Sequence, residues 1–129
     1  MLSIGDNAFE GCTGLINFVM SDIVTDLGTA AFKTCSNMKT IKLSNSLKEL
    51  KDWTFQQVLT LTEIDIPGSV KSIGSSCFLS DSKMTKITLN EGLEEIKVND
   101  LSYISGVSSI FLPSTVTSIK EDAFVLLLL

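Results

Sequence analysis

The sequence predicts a repeat solenoid with parallel β-strands and short helical or coil turns, of the α/β class or mostly β. It would contain about five and a half 23-residue repeats. Apolar residues recur at a fixed spacing, polar and apolar residues alternate in short segments, and proline follows two of these segments. With 129 residues, 44% of them hydrophobic and 19% charged, the chain is long and apolar enough to fold as one domain, residues 1–129.

The repeat is defined by columns of apolar residues spaced 23 positions apart without an insertion or deletion. A unit of this length is too small to bury its own apolar side chains, whereas stacked units bury a continuous row of them. One column is made of Ile4, Leu27, Leu50, Ile73, Ile96 and Ile119. Five residues further on, a second column is made of Phe9, Phe32, Phe55, Phe78, Leu101 and Phe124.

Each repeat divides into two extended pieces and a turn. Residues 70–73 alternate between apolar and polar, and Gly74 after them suggests a turn with a positive φ. Residues 8–12 are expected to form a single helical turn or a tight coil. Residues 39–43 alternate again and predict a half-buried strand. Pro67, directly after the equivalent residues one repeat later, would end that strand.

The composition excludes several classes of function. The chain has no histidine, and all ten of its cationic residues are lysine, with a net charge of −5. Histidine-based zinc sites and Ser-His-Asp or Cys-His catalysis are therefore excluded, and nucleic acid is a poor partner for an acidic chain without arginine. We expect no enzymatic activity, no metal site and no cofactor. Cys12, Cys35 and Cys77 are expected to be buried free thiols, with a Cys12–Cys35 disulfide as the alternative.

The residues of the repeat resemble a known family. The first repeat reads Ile-Gly-Asp-Asn-Ala-Phe-Glu-Gly-Cys-Thr-Gly-Leu from Ile4, and the third reads Ile-Asp-Ile-Pro-Gly-Ser-Val-Lys-Ser-Ile-Gly from Ile64. This pattern is similar to the BspA-type leucine-rich repeat over essentially the whole chain. The resemblance implies a leucine-rich-repeat solenoid that is non-catalytic, exposed on a cell surface or secreted, and used in adhesion to a protein or glycan partner. Some positions depart from the pattern: Lys51, Val58, Asp81, Lys97, Leu101 and Ile104.

The resemblance also implies that binding occurs through the outward side chains of the strand face. These form two columns, Asn17, Thr40, Glu63, Lys86 and Ser109 in the first and Val19, Lys42, Asp65, Thr88 and Phe111 in the second. The opposite charges on adjacent repeats have a simpler interpretation, in which they pair with each other and stabilise the stack. Phe111 is either an exposed anchor for a partner or a residue that packs against material outside this chain.

Neither end of the sequence carries the polar cap that a solenoid needs for solubility. Met1 falls within a mostly absent repeat, and the chain ends on an apolar run, residues 123–129. We therefore expect a fragment of a longer array, with possible end-to-end self-association and, as an alternative function, a role as a structural spacer without a ligand site. The chain as written contains no signal peptide, and the apolar run is too short to span a membrane.

Overall fold

A computed structural model describes residues 2–81, 83–97, 104 and 106–123. These residues contain ten short β-strands and no helix. The predicted parallel solenoid is confirmed, in its mostly β form. The strands are β1 (Leu2–Ile4), β2 (Asn17–Val19), β3 (Val24–Leu27), β4 (Thr40–Lys42), β5 (Glu49–Leu50), β6 (Glu63–Ile66), β7 (Ser72–Ile73), β8 (Lys86–Leu89), β9 (Glu95–Ile96) and β10 (Ser118–Ile119).

The strands stack along two sides of the solenoid. On one side, which we call the strand face, β2 pairs with β4 and β6 pairs with β8. On the other side β1 pairs with β3, and β5, β7, β9 and β10 form a four-stranded sheet. Every pair is parallel, and the partners on the strand face, such as Glu63 and Lys86, are 23 residues apart. The sequence repeat is therefore the register of the sheets, since each turn of the chain adds one rung to the stack.

The third side of the solenoid is a wall of stacked tight turns. Some backbone N–H groups of each turn donate to a carbonyl of the same turn, and others donate to a carbonyl of the next rung. The Cys35 N–H, for example, donates to the Phe32 carbonyl at 3.1 Å, and the Phe32 N–H donates to the Thr54 carbonyl at 3.0 Å. This pattern requires a left-handed backbone at two positions of each turn, and non-glycine residues such as Thr34 (φ 57°) and Trp53 (φ 59°) adopt it. The wall is thus held by backbone hydrogen bonds, and of the two predicted forms, a helical turn or a tight coil, the described turns adopt the second.

The glycines that follow the second strand of each repeat have a different role from the one predicted. Gly74 and its equivalent Gly28 do not have a positive φ. Instead, a Cβ atom on Gly74 would lie 2.5 Å from the Asp52 backbone nitrogen of the preceding rung. Glycine is needed there because two backbones approach closely, whereas the positive φ occurs two residues later, at Ser76.

The apolar columns form one continuous core along the axis. Phe32, Phe55 and Phe78 are fully buried, and their rings stack on one another with centroids 5.6 Å apart. Phe9, on the first rung, continues the stack at 5.3 Å but is only half-buried. Stacked columns of like residues therefore pack as the repeat predicts, and burial is greatest at the central rungs. The last two members of this column, Leu101 and Phe124, and the 125–129 tail lie outside the described residues.

Three of the departures from the repeat pattern lie in the column that holds cysteine on the first two rungs. Two of them are apolar residues, and the third is a carboxylate. Val58 and Ile104 fill this column as fully buried apolar residues, whereas Asp81 places a carboxyl group there. One Asp81 oxygen accepts the Val58 N–H at 2.9 Å, and Oδ2 has no hydrogen-bond partner. Burial raises the pKa of Asp81 well above its usual range, and the backbone N–H groups of Val58 and Gln57 oppose this only in part.

The raised pKa of Asp81 predicts that the contribution of this residue to the stability of the chain falls as pH rises. The folded state holds the Asp81 proton more tightly than the unfolded state, so this contribution is complete below the unfolded pKa of about 3.9 and is lost towards the raised folded pKa. Asp81→Val, which introduces the residue that Val58 supplies one rung earlier, should therefore gain stability relative to the parent as pH rises from about 4 to 7, by urea denaturation at each pH. Parallel profiles for Asp81→Val and the parent would contradict the prediction.

Candidate functional site on the strand face

The four strands of the strand face carry eight of the ten predicted binding residues. Alternation along each strand turns Ile41, Ile64 and Ile87 towards the core and their neighbours outwards. The outward residues are exposed except Thr88, which is half-buried. They are Asn17 and Val19 on β2, Thr40 and Lys42 on β4, Glu63 and Asp65 on β6, and Lys86 and Thr88 on β8. Ser109 and Phe111 follow on a segment that does not form a strand.

A groove of about 330 Å³ lies across the centre of this face. It crosses the junction between β4 and β6, which are adjacent but belong to different two-stranded sheets. It is lined by Lys39, Thr40, Ile41, Thr62, Glu63, Ile64, Asp65, Lys86 and Thr88. A second depression of about 630 Å³ adjoins it towards the ends of the strands, and both are lined by Ile41 and Asp65. The two together give the strand face a concave surface of the size of a small ligand site.

The charges on the strand face do not pair with one another as the simpler interpretation expected. Neither Glu63 with Lys86 nor Lys42 with Asp65 comes within 4 Å in the described part of the chain. The salt bridges found among the described residues lie away from this face and join Lys51 to Asp26, Lys71 to Glu94 and Lys120 to Glu95. Asp65 instead accepts a hydrogen bond of 2.5 Å from the Asn90 side chain. The charged groups of the face are therefore available to a partner.

Apolar side chains project from the second column near both ends of the strand face. Val19 is 75% exposed and Phe111 is 82% exposed. Phe111 points outwards, as its position between Ile110 and Leu112 predicted, and Ile110 packs against the core. No described residue covers the Phe111 side chain, which agrees with both alternatives, an anchor for a partner and packing against material outside this chain. An exposed aromatic side chain of this kind is typical of the residues that dominate protein interfaces.

Two carboxylates, Glu91 in the lining of the second depression and Asp22 bonded to Asn45 of that lining, make contacts that the sequence analysis did not predict. Glu91 accepts the Ser114 N–H at 2.9 Å, one rung further on, and this hydrogen bond lowers the pKa of Glu91. Asp22 accepts the Asn45 N–H at 2.8 Å, which lowers the pKa of Asp22 in the same way. Their shared spacing of 23 residues could have revealed these contacts, because a carboxylate in the turn faces the next turn's N–H groups.

Cys12, Cys35 and Cys77, which all belong to the described residues, form no disulfide, as expected, and they lie away from the strand face. Cys35 and Cys77 are buried and Cys12 is half-buried. The Cys35 thiol donates to the Phe9 carbonyl at 3.0 Å, and burial raises the pKa of Cys35. A buried thiol with a raised pKa carries little thiolate, so Cys35 acts as a core residue.

Trp53 is 45% exposed on the turn wall, with the Lys33 ammonium 5.8 Å from its ring centre.

Comparison with known families identifies the repeat. The sequence profile of the BspA type leucine rich repeat region matches residues 2–126 in six copies. The chain belongs to the BspA type leucine rich repeat family. Its membership explains the 23-residue register, and proteins of this fold are generally non-catalytic. A comparison with curated protein sequences finds no match.

Solved structures of bacterial leucine-rich repeat proteins share the fold. A leucine rich cell surface protein from Faecalibacterium prausnitzii is 26% identical with a TM-score of 0.81, over 97% of this chain and 34% of that protein. A leucine-rich repeat protein from Bacteroides ovatus is 25% identical with a TM-score of 0.70, over 99% of this chain and 40% of that one. One from Eubacterium ventriosum has a TM-score of 0.87 at 24% identity, over 95% of this chain and 33% of that one. This chain of BspA type repeats thus spans about a third of the length of these neighbours.

No helix among the described residues has the length and hydrophobicity required to cross a membrane.

Proposed function

We propose that this chain is a non-catalytic binding module that attaches a cell surface to a host protein or glycan through its strand face. The observation that carries the proposal is the combination of an exposed Phe111 with charged side chains that have no ionic partner within the described chain. Aromatic anchors dominate the energy of protein interfaces, and the polar groove lies on the same face as Phe111. The Faecalibacterium prausnitzii neighbour, described as a cell surface protein, supports a location on the cell surface or in the secreted fraction.

The test replaces the anchor and one central charge together. We expect Phe111→Ala with Lys86→Glu to weaken binding to immobilised extracellular-matrix proteins and cultured epithelial cells by at least about tenfold, because an interface loses most affinity when its central anchors are removed. Surface plasmon resonance measures the affinity for each immobilised protein. The matched control, Leu59→Ala with Lys33→Glu, removes an exposed apolar group and reverses a charge on the turn wall, and it should bind as the parent does.

Equal binding by the parent and the Phe111→Ala, Lys86→Glu variant would show that the strand face is not the binding surface. If the parent binds no matrix protein and no cell, the result supports the alternative function, a structural spacer within a longer repeat array. A spacer would add length to the array and would make no contact with a ligand. This chain spans about a third of the length of the Faecalibacterium prausnitzii and Eubacterium ventriosum neighbours, which leaves room for such a role.

The first rung supports a further contact of the module, end-to-end association between two copies. Leu2 is exposed, and Phe9 and Phe18 are only half-buried, whereas Phe55 in the column of Phe9 and Ile64 in the column of Phe18 are buried. An open solenoid end can receive the rung of another chain. Size-exclusion chromatography with light scattering, run before the binding test, would show this association as a mass that rises above 14.0 kDa with concentration.

A further inference from the structure

The charges on the strand face follow an ordered pattern across three adjacent rungs. Lys42 lies on β4, Glu63 and Asp65 lie on β6, and Lys86 lies on β8. All four are exposed. Glu63, Asp65 and Lys86 line the groove, and Lys42 lines the adjoining second depression, which shares Asp65 with the groove. The surface therefore presents a basic, an acidic and a second basic rung in succession.

The two lysines lie on opposite sides of the acidic rung and in different columns. Two rungs of about 4.8 Å each and an offset of two residues of about 3.3 Å each place their Cα atoms about 12 Å apart on a diagonal. In an extended peptide, the side chains of residues i, i+2 and i+4 lie on one side and span about 13 Å. The diagonal from Lys42 to Lys86, with Glu63 and Asp65 at its centre, therefore matches three alternate residues of an extended peptide.

We propose that the groove binds an extended polypeptide segment in which a basic residue lies between two acidic residues, in the pattern acidic-x-basic-x-acidic. The inference rests on the proposed binding function of the strand face. The two carboxylates of the segment would meet Lys42 and Lys86, and its cation would meet Glu63 and Asp65. The hydroxyl groups of Thr62 and Thr88, which also line the groove, are suited to hydrogen bonds with the peptide backbone.

The charge pattern favours a polypeptide over other partners. An acidic glycan or an anionic membrane would attract the lysines, but it would also face the carboxylates of Glu63 and Asp65 and a chain of net charge −5. A neutral glycan would leave all four charges without a counterpart. A polypeptide carries both signs within a few residues, so it can neutralise each rung in turn.

Two labelled peptides test the proposal by fluorescence polarisation. One carries Asp-Ser-Lys-Ser-Asp between glycines and the other carries the inverse order, Lys-Ser-Asp-Ser-Lys. Because like charges placed in contact cost several kcal/mol, we expect the first peptide to bind at least about tenfold more tightly at low salt. The preference should shrink as sodium chloride rises from about 0.01 M to about 0.15 M, since the Debye length falls from about 30 Å to about 8 Å.

Charge-reversed chains provide the second arm. Lys42→Glu with Glu63→Lys, Asp65→Lys and Lys86→Glu inverts the pattern and should bind the inverse peptide more tightly. Lys33→Glu makes the same change of net charge as Lys86→Glu but lies on the turn wall. It should keep the parent's preference, whereas Lys86→Glu should lose it. All the altered residues are on the surface, and far-UV circular dichroism confirms that each variant folds.

Any of three results would overturn this inference. They are equal affinity for the two peptides, a preference for the first peptide that does not change with salt concentration, and no binding of either peptide at millimolar concentration. Such a result would not by itself contradict the proposed function. If matrix-protein or cell binding is still lost in the Phe111→Ala, Lys86→Glu variant, the strand face binds a partner of different chemistry. If that binding is unaffected as well, both proposals are wrong.

Discussion

Phe55→Ala should lower the free energy of unfolding by about 3–5 kcal/mol, the largest effect we expect of any single substitution in this chain. Phe55 is fully buried, and its ring stacks between Phe32 and Phe78 with centroids 5.6 Å away on both sides. Alanine would remove the apolar surface and leave a cavity that the neighbouring rungs cannot close, because their backbones are fixed by hydrogen bonds between rungs. Urea denaturation followed by far-UV circular dichroism measures the loss.

The same substitution at other positions provides the controls. Phe111→Ala, at a side chain that is 82% exposed, should change the free energy of unfolding by less than about 0.5 kcal/mol. Phe9→Ala should give an intermediate loss, since Phe9 stacks on Phe32 but is only half-buried. If Phe55→Ala costs no more than Phe111→Ala, the stacked column does not form the core of the solenoid.

Gly74→Ala should lower the free energy of unfolding by about 2–3 kcal/mol, through a steric conflict between rungs. The added Cβ would lie 2.5 Å from the Asp52 backbone nitrogen and from the Lys51 carbonyl carbon, far inside van der Waals contact. Both atoms belong to the backbone of the preceding rung, so no side-chain rotation can relieve the overlap. The two rungs would have to separate, which would weaken the hydrogen bond of 2.6 Å from the Gly74 N–H to the Leu50 carbonyl.

Gly5 offers a matched control in the same column of the repeat. A Cβ on Gly5 meets no atom within 4 Å, and its φ is not positive. Gly5→Ala should therefore leave the chain as stable as the parent or slightly more stable, because alanine has less freedom to lose on folding. Equal losses for Gly74→Ala and Gly5→Ala would mean that the close approach of the rungs does not determine the choice of glycine.

Most of the architecture could be predicted from the periodicity of the sequence. The unbroken spacing from Ile4 to Ile119 fixes which residues share a column, and alternation within Glu63–Ile66 fixes which of them face the core. The reason for Gly74 could not be predicted in this way, because a glycine that avoids a neighbouring backbone looks the same in the sequence as one with a positive φ. Lys51 and Lys97 in the same column show that the requirement for glycine is not repeated at every rung.

The candidate site was predicted in part. The outward columns follow from the alternation, and the exposure of Phe111 follows from its place beside Ile110, which packs against the core, although Leu112 on its other side is 40% exposed. Whether the opposite charges pair could not be predicted from the sequence, because a position on the neighbouring rung does not decide whether two long side chains come into contact. Asp65, for example, takes a hydrogen bond from Asn90 and does not come within 4 Å of Lys42, whose charge instead helps to lower the pKa of Asp22.

The sequence by itself determined the repeat length, the parallel register, the apolar columns and the face on which the polar residues lie. These properties depend on local periodicity, which a linear pattern records. Only the tertiary structure decided how the turns satisfy their backbone groups, where two rungs approach too closely for a side chain, and that the carboxyl of Asp81 is buried with one oxygen unpaired. These depend on distances between atoms of neighbouring rungs, which stacking sets and which no single repeat contains.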